Sequence, residues 1–167
     1  MTTLCDRRLI ARIGRGLYAA EGTTATQHHS LAEASKRIPR GVICLLSALS
    51  FHELTTQNPS QVWVAVDRKG WSPDTDLPQV RLLKYSAAAL EFGIEGHNIE
   101  GVAVRMYNPA KTVADCFKYR NKIGMDVALE ALRDCWRQRK ATIDQLLEAA
   151  EVCRVAKVMR PYLESLV

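Results

Sequence analysis

The sequence lacks the features that would place it in a membrane or a secretory pathway. No apolar run approaches the roughly 18 residues that a membrane span needs, and Ser47 interrupts the longest run, Val42 to Leu49. The N-terminal segment contains no apolar stretch of the kind that signal peptides carry. We therefore expect a cytoplasmic protein with no membrane partner.

Metal and disulfide patterns are also missing. The cysteines are odd in number, widely spaced and without Cys-x-x-Cys spacing, which favours buried, reduced thiols. His52-Glu53 begins like a zinc-protease motif, but Thr56 occupies the position of the second histidine ligand. We expect no metal site and no cofactor. The cysteines are Cys5, Cys44, Cys116, Cys135 and Cys153.

The chain nevertheless has enough apolar residues to fold. Hydrophobic residues make up 47% of its 167 positions, so one domain, or a domain with a small appendage, can bury a core. The net charge of +5 permits an anionic partner without requiring one.

Residues 7–18 are short, basic and punctuated by glycine, and we predict a β-hairpin there. Gly14 and Gly16 fit a tight turn better than a dinucleotide-binding loop, because Gly22 would interrupt the helix that such a loop needs. Arginines around a hairpin turn reach phosphates or the minor groove; alternatively, they form a solvated edge that prevents aggregation. The candidate DNA-binding residues are Arg7, Arg8, Arg12, Arg15, Gly16 and Tyr18.

The middle of the chain predicts strands and short helices. The spacing Thr24-x-x-Gln27 is a capping box that opens a helix, and Pro39 and Gly41 end it. Residues 42–54 fit a buried helix, although periodicity alone does not exclude a strand. We predict strands at 62–66 and 80–84, a loop at 70–78, a helical turn at 87–90, and a hairpin from 92–94 and 101–107.

The clearest change of period falls between Tyr107 and Arg120. Apolar residues alternate before it, as in a strand, whereas Val113 and Phe117 follow at helical spacing. Asn108 is a good N-cap, and Pro109 fits the first helical position. Only helices are predicted beyond this point, at 109–122, 126–139, 142–152 and 154–166. Leu129, Leu132 and Trp136 form the apolar stripe of the second of these.

One arrangement favours an enzyme. Asp67 and Lys69 follow a predicted strand, with Glu53 upstream, and carboxylates beside a lysine occur in metal-dependent nucleases. The carboxylate set is incomplete for such chemistry, and a strand end is an ordinary place for charged residues. We therefore expect no catalytic activity, with the nuclease as the alternative.

The order of five segments resembles AbiEi-type proteins, the antitoxins and transcriptional regulators of type IV toxin–antitoxin systems. The segment RIGRGLY (12–18) is similar to the wing end of their winged helix, and GVICLLSALSFHELT (41–55) to the buried segment that follows. VWVAVDR (62–68) fits the next strand, NPAKTVAD (108–115) the helix start and MRPYLE (159–164) the closing helix.

The resemblance implies an α+β fold: a mixed, mostly antiparallel sheet followed by a C-terminal helical set, with an N-terminal wing-like β-hairpin. Residues 1–22 would be a remnant of the winged helix and residues 23–167 the antitoxin domain. Only about six residues precede the hairpin, too few for the helices of a complete winged helix, so we expect a shortened member or part of a longer product.

The resemblance also implies a function. The chain would counteract a nucleotidyltransferase-type toxin, directly or functionally, and would regulate its own promoter. DNA binding would be weak, or would depend on a missing N-terminal segment, and we expect a monomer. The basic residues that we expect on the antitoxin surface are Lys118, Arg120, Lys122, Arg133 and Arg137. An interaction module that does not bind DNA is a further alternative.

Overall fold

The computed structural model describes residues 28–70 and 79–167, together with the strand backbone at 10–14 and 17–20. The strands are β1 (Ile10–Gly14), β2 (Leu17–Ala20), β3 (Val42–Ile43), β4 (Val62–Asp67), β5 (Val80–Tyr85), β6 (Ile94–Ile99) and β7 (Val102–Tyr107). The helices are α1 (His29–Arg37), α2 (Leu45–Phe51), α3 (Ala87–Glu91), α4 (Pro109–Lys118), α5 (Arg120–Ile123), α6 (Met125–Arg137), α7 (Ile143–Val152) and α8 (Ala156–Ser165).

The central sheet is mixed and has the strand order β5-β4-β3-β7-β6. The pairs β3–β4 and β6–β7 are antiparallel, and β3–β7 and β4–β5 are parallel. The N-terminal strands β1 and β2 add a separate antiparallel pair. With the helices that follow β7, this arrangement confirms the predicted α+β class. None of the helices in the described ranges is long and apolar enough for a membrane crossing.

The two faces of the sheet bury different side chains, because residues along a strand alternate. Val64 and Met106 pack against α1 on one face, in a cluster that also contains Leu31 of that helix. Trp63 and Tyr107 belong to the cluster on the other face, which the C-terminal helices cover. The central strands are therefore buried on both sides, which explains the nearly continuous apolar run of β4.

Helix α4 is the centre of the second cluster. Val113 and Phe117 have no exposed surface, as the helical spacing predicts. Helix α4 contacts α2 on one side and α6 and α7 on the other. Every residue from 110 to 117 is consequently buried, including two with charged side chains.

Three predictions need correction in detail. The helix expected at 109–122 breaks at Tyr119, whose φ of −100° and ψ of 23° separate α4 from α5. Residues 42–54 contain both a two-residue strand, β3, and a helix, α2. In α6 the buried face is centred on Ala128 and Ala131, while Leu129 and Trp136 are half-buried, because small side chains allow α4 to approach closely.

Candidate functional site

The β7–α4 junction forms as the sequence predicts. Asn108 is the N-cap of α4, and its side-chain oxygen accepts a hydrogen bond of 2.8 Å from the backbone N–H of Lys111. Pro109 occupies the first turn, where a missing N–H leaves no partner unsatisfied. The Thr112 hydroxyl donates to the Asn108 carbonyl at 2.8 Å. These contacts fix the direction in which the first turn of α4 points its side chains.

That direction places a charged pair inside the protein. The Nζ atom of Lys111 lies 2.9 Å from Oδ1 and 2.8 Å from Oδ2 of Asp115, one helical turn further along α4. Both side chains are completely buried. A buried charge is costly unless it is paired and hydrogen-bonded, and each residue of this pair supplies what the other needs.

Aromatic rings complete the surroundings of the ammonium group. The Lys111 Nζ lies 3.8 Å from the ring centroid of Tyr107 and 5.0 Å from that of Tyr85. The electron-rich faces of such rings attract a cation, most strongly where water is excluded. The ammonium is therefore stabilised by a carboxylate and by two tyrosines from β7 and β5.

The carboxylate has one further partner. The Cys153 thiol donates to Asp115 Oδ1 at 3.3 Å. Burial raises the pKa of Asp115, and the Lys111 ammonium opposes that rise. Burial, reinforced by the Asp115 carboxylate, raises the pKa of the Cys153 thiol. The thiol therefore stays protonated and acts as a hydrogen-bond donor to the carboxylate rather than as a nucleophile.

Gly93 allows the chain to pass close to this pair. Its φ is +77°, and a Cβ atom built there would lie 2.7 Å from the Cβ of Lys111. The Gly93 carbonyl also accepts a hydrogen bond of 2.8 Å from the Asn108 N–H. The turn before β6 is thus held directly against the start of α4.

His52 connects α2 to the same junction. Its Nε2 donates to the carbonyl of Tyr107 at 2.8 Å, so that nitrogen carries the proton. Burial lowers the pKa of His52, with smaller contributions of both signs from its neighbours. The Lys140 ammonium donates to the backbone carbonyl of His52, which links α2 to the loop after α6. His52 is therefore a neutral structural histidine at neutral pH.

The residues of the alternative nuclease site have local structural contacts. Asp67 Oδ1 accepts a hydrogen bond of 2.9 Å from the Lys69 backbone N–H, which stabilises the turn after β4. Glu53 is exposed at the end of α2, and its carbonyl accepts from the Gln138 side chain at 3.0 Å. Across 28–70 and 79–167, no group of three or more His, Cys, Asp or Glu side chains is placed to hold a metal ion.

The predicted DNA-binding residues are described only in part. Arg12 of β1 pairs with Tyr18 of β2 across the hairpin. Arg7, Arg8, Arg15 and Gly16 lie outside the described residues, as does the predicted capping box of Thr24 and Gln27. The DNA-binding role of the candidate hairpin residues stays a prediction.

The predicted antitoxin-surface residues lie on three consecutive helices. Lys118, Lys122 and Arg133 are exposed, and Arg137 is exposed beside Asp134, to which it donates at 2.9 Å. Arg120 differs, because its guanidinium donates to the Phe117 carbonyl at 2.8 Å and so caps the end of α4. Lys118, Lys122 and Arg133 are therefore exposed and not ion-paired to a described carboxylate, whereas Arg137 is paired and Arg120 caps α4.

The sequence contained a signal for the buried pair that pattern reasoning missed. Lys111 and Asp115 are the only charged residues between positions 110 and 117, they have opposite signs, and they are four residues apart. Opposite charges at that spacing meet on one helix face. Because the other residues from 110 to 117 are apolar except Thr112, the face with the pair is expected to be buried as well.

Comparison with known proteins finds no matching family model and no matching curated protein.

Proposed function

We propose that the chain is an antitoxin of the AbiEi type, which counteracts a nucleotidyltransferase-type toxin in the cytoplasm and regulates its own promoter. The proposal rests on the order of the five segments that resemble this family, one of which, NPAKTVAD (108–115), contains the buried Lys111–Asp115 pair. The segment caps α4, buries an ion pair and joins the sheet to the helices.

The closed geometry supports a binding protein more than an enzyme acting through this pair. Neither Lys111 nor Asp115 has solvent-exposed surface, and both ends of the pair are already satisfied by protein atoms. A group that acts on a substrate must come within hydrogen-bond reach of the reacting atoms. The pair is therefore a structural element that organises the domain.

The exposed cations of α4 to α6 supply the interaction surface. Lys118, Lys122 and Arg133 carry positive charge on the exposed side of α4, α5 and α6, which contact one another. Such a surface attracts an acidic partner and speeds its association. It meets either the toxin itself or the molecule on which the toxin acts.

Promoter regulation rests on the N-terminal hairpin. Contacts from a wing go mainly to phosphates, which position a protein without reading much sequence. We expect weak binding of duplex DNA, with a log–log salt slope of about −3 to −4 if three or four phosphates are neutralised. Arg12→Ala with Arg15→Ala should flatten that slope by about two units.

The experiment is a growth-rescue assay. The neighbouring reading frames are first examined for a nucleotidyltransferase gene, the cognate toxin that the proposal expects. That toxin is then expressed in cells with and without this chain, and growth is recorded. We expect the chain to restore growth, and a chain without residues 1–22 to do so as well. Absence of rescue by the folded full chain would contradict the proposal. Mg²⁺-dependent cleavage of nucleic acid that is lost on Asp67→Ala would favour the nuclease instead.

A further inference from the structure

Three tyrosine rings form a stack that leads from the buried pair to the surface. The rings of Tyr107 and Tyr85 are 5.9 Å apart and inclined by 7°, and those of Tyr85 and Tyr119 are 5.5 Å apart and inclined by 13°. Tyr107 and Tyr85 are buried, whereas Tyr119 is half-buried at the junction of α4 and α5. Tyr119 is thus the outermost ring of a rigid, nearly parallel column.

Two lysine ammonium groups lie over this outermost ring. The Nζ atoms of Lys118 and Lys122 are each 5.9 Å from its centroid. The Arg68 backbone N–H donates to the Tyr85 carbonyl at 2.9 Å, which places Arg68 beside the same column. Burial raises the pKa of Tyr119 to about 12, and the charge of Arg68 opposes the rise. The phenol is therefore neutral at physiological pH and adds no negative charge to the group. We call Arg68, Lys118, Tyr119 and Lys122 the Tyr119 patch.

The cations of the patch have no acidic partners among the residues that the structure describes. Each of the three side chains is exposed, and none forms an ion pair with a described carboxylate. Elsewhere on the described surface, Arg37 and Arg137 are paired with acids on their own helices. Within the described ranges, no carboxylate therefore neutralises the positive charge of the Tyr119 patch.

A rigid aromatic ring among unpaired cations has the two features that proteins use to hold single-stranded nucleic acid. Bases stack on aromatic side chains, and positive groups follow the phosphates. Double-stranded nucleic acid does not offer this combination, because its bases already stack on each other. We propose that the Tyr119 patch binds single-stranded nucleic acid: one base stacks on the Tyr119 ring in place of the two lysine ammonium groups that lie over it, and these cations move to the flanking phosphates.

The test is a fluorescence-anisotropy titration of the full chain with a labelled oligothymidylate of about twelve nucleotides, at several salt concentrations. An abasic strand of the same length supplies the same phosphates without bases. We expect the oligothymidylate to bind more tightly than the abasic strand, by at least about 5-fold, since stacking of one base contributes about that much or more. Equal affinities would overturn the stacking that the proposal requires.

Variants separate the ring from the charges. Tyr119→Phe keeps the ring and should bind within about 2-fold of the wild type, whereas Tyr119→Ala should weaken binding by about 5- to 150-fold. Lys118→Ala with Lys122→Ala should lower the magnitude of the log–log salt slope by about 1.4, because each phosphate contact on a single strand contributes roughly 0.7.

The matched control removes two exposed cations from α8, a helix that contributes no residue to the Tyr119 patch. Lys157→Ala with Arg160→Ala changes the net charge by the same amount, and neither side chain is ion-paired to a described carboxylate. We expect a small change in affinity and an unchanged salt slope. Circular dichroism and thermal melting check that each variant folds. If Tyr119→Ala does not fold, the variant with Lys118→Ala and Lys122→Ala still tests the proposal. The same loss in the control and the lysine variants, or no binding at low salt, would overturn the proposal.

Discussion

The ammonium of Lys111 and the carboxylate of Asp115 form two hydrogen bonds, of 2.9 and 2.8 Å, in a part of the protein that water does not reach. Removing one partner leaves the other charge buried and unpaired, which costs about 3–5 kcal/mol in comparable sites. Replacing one residue of the pair should therefore destabilise the fold strongly. Apolar residues at both positions are often as stabilising as such a pair.

Asp115→Asn should lower the free energy of unfolding by about 3–5 kcal/mol, because the amide keeps the shape but removes the counter-charge of Lys111. Urea denaturation followed by circular dichroism measures this. Glu148→Gln, on an exposed face of α7, is the control and should change stability by less than about 0.5 kcal/mol. Equal stability of Asp115→Asn and the wild type would mean that the pair is not the charged pair described here.

Replacing both charges should behave differently from replacing one. Lys111→Met with Asp115→Leu substitutes apolar side chains of similar size, and such exchanges are often neutral or stabilising by about 1–4 kcal/mol. The loss of the cation–aromatic contact with Tyr107 works in the opposite direction. We expect the double variant to be more stable than Asp115→Asn. If the double variant were less stable than Asp115→Asn in the same denaturation series, the pair would not behave as a purely structural one.

Alanine substitutions at Gly93 and Gly101 distinguish the destabilisation caused by steric overlap from that caused by a positive φ. Gly93→Ala combines a positive φ with an overlap against Lys111, and should destabilise by more than Gly101→Ala, which has a positive φ of +79° but open space. We expect about 1–2 kcal/mol for Gly101→Ala and a larger loss for Gly93→Ala. Gly96→Ala, with ordinary φ and no neighbour within 4 Å, is the control and should be nearly neutral. Equal losses at Gly93 and Gly101 would show that the overlap relaxes freely.

Because burial lowers the pKa of His52, we expect the protein to lose stability in mildly acidic solution. Burial lowers its pKa in the folded state, so the unfolded chain takes up a proton near pH 6.5 while the folded protein resists it. Stability should therefore fall as the pH drops below about 6.5 towards the lower folded pKa. His52→Gln retains a donor for the Tyr107 carbonyl and should reduce that fall. The charged or titratable neighbours of His52 are Glu95, His97 and Lys140, and they are the same in both proteins.

Melting temperatures across the acidic range give the comparison. Identical pH dependence of the wild type and His52→Gln would assign the acid sensitivity to other groups.

The four described cysteines should resist thiol reagents in the native protein. Cys44, Cys116, Cys135 and Cys153 are all buried, and burial raises the pKa of Cys135 to about 11. Since the thiolate is the reactive form, labelling with an aromatic disulfide at mildly alkaline pH should be slow until the protein unfolds. Cys5 lies outside the described residues. Rapid labelling of any of the four, identified by peptide mass, would contradict the burial.

The local parts of the fold were predictable because short sequence signals determine them. The Thr142–Gln145 capping box opens α7, and Asn108 with Pro109 opens α4, at the residues expected. The alternation of residues 101–107 predicted β7, whereas its partner β6 runs over Ile94–Ile99 instead of the predicted 92–94. Such signals require only the neighbours of each residue.

The buried site was harder to predict because it depends on distant parts of the chain. Tyr85, Tyr107 and Tyr119 come from β5, β7 and the α4–α5 junction, and only the parallel and antiparallel pairings of the sheet bring them into one column. The break of the helix at Tyr119 also coincides with that ring stacking on Tyr85. Neither feature leaves a periodic pattern in the sequence.

The antitoxin proposal is tested most directly by growth rescue with the Lys111→Met, Asp115→Leu double variant. Cells that express the cognate nucleotidyltransferase-type toxin receive the wild-type chain, the double variant or an empty vector, and growth is compared after the folding of both proteins has been checked. If the pair only organises the domain, the wild type and the folded double variant should both restore growth. Rescue by the wild type but not by the folded double variant would assign the pair a direct role, and rescue by neither would contradict the antitoxin function.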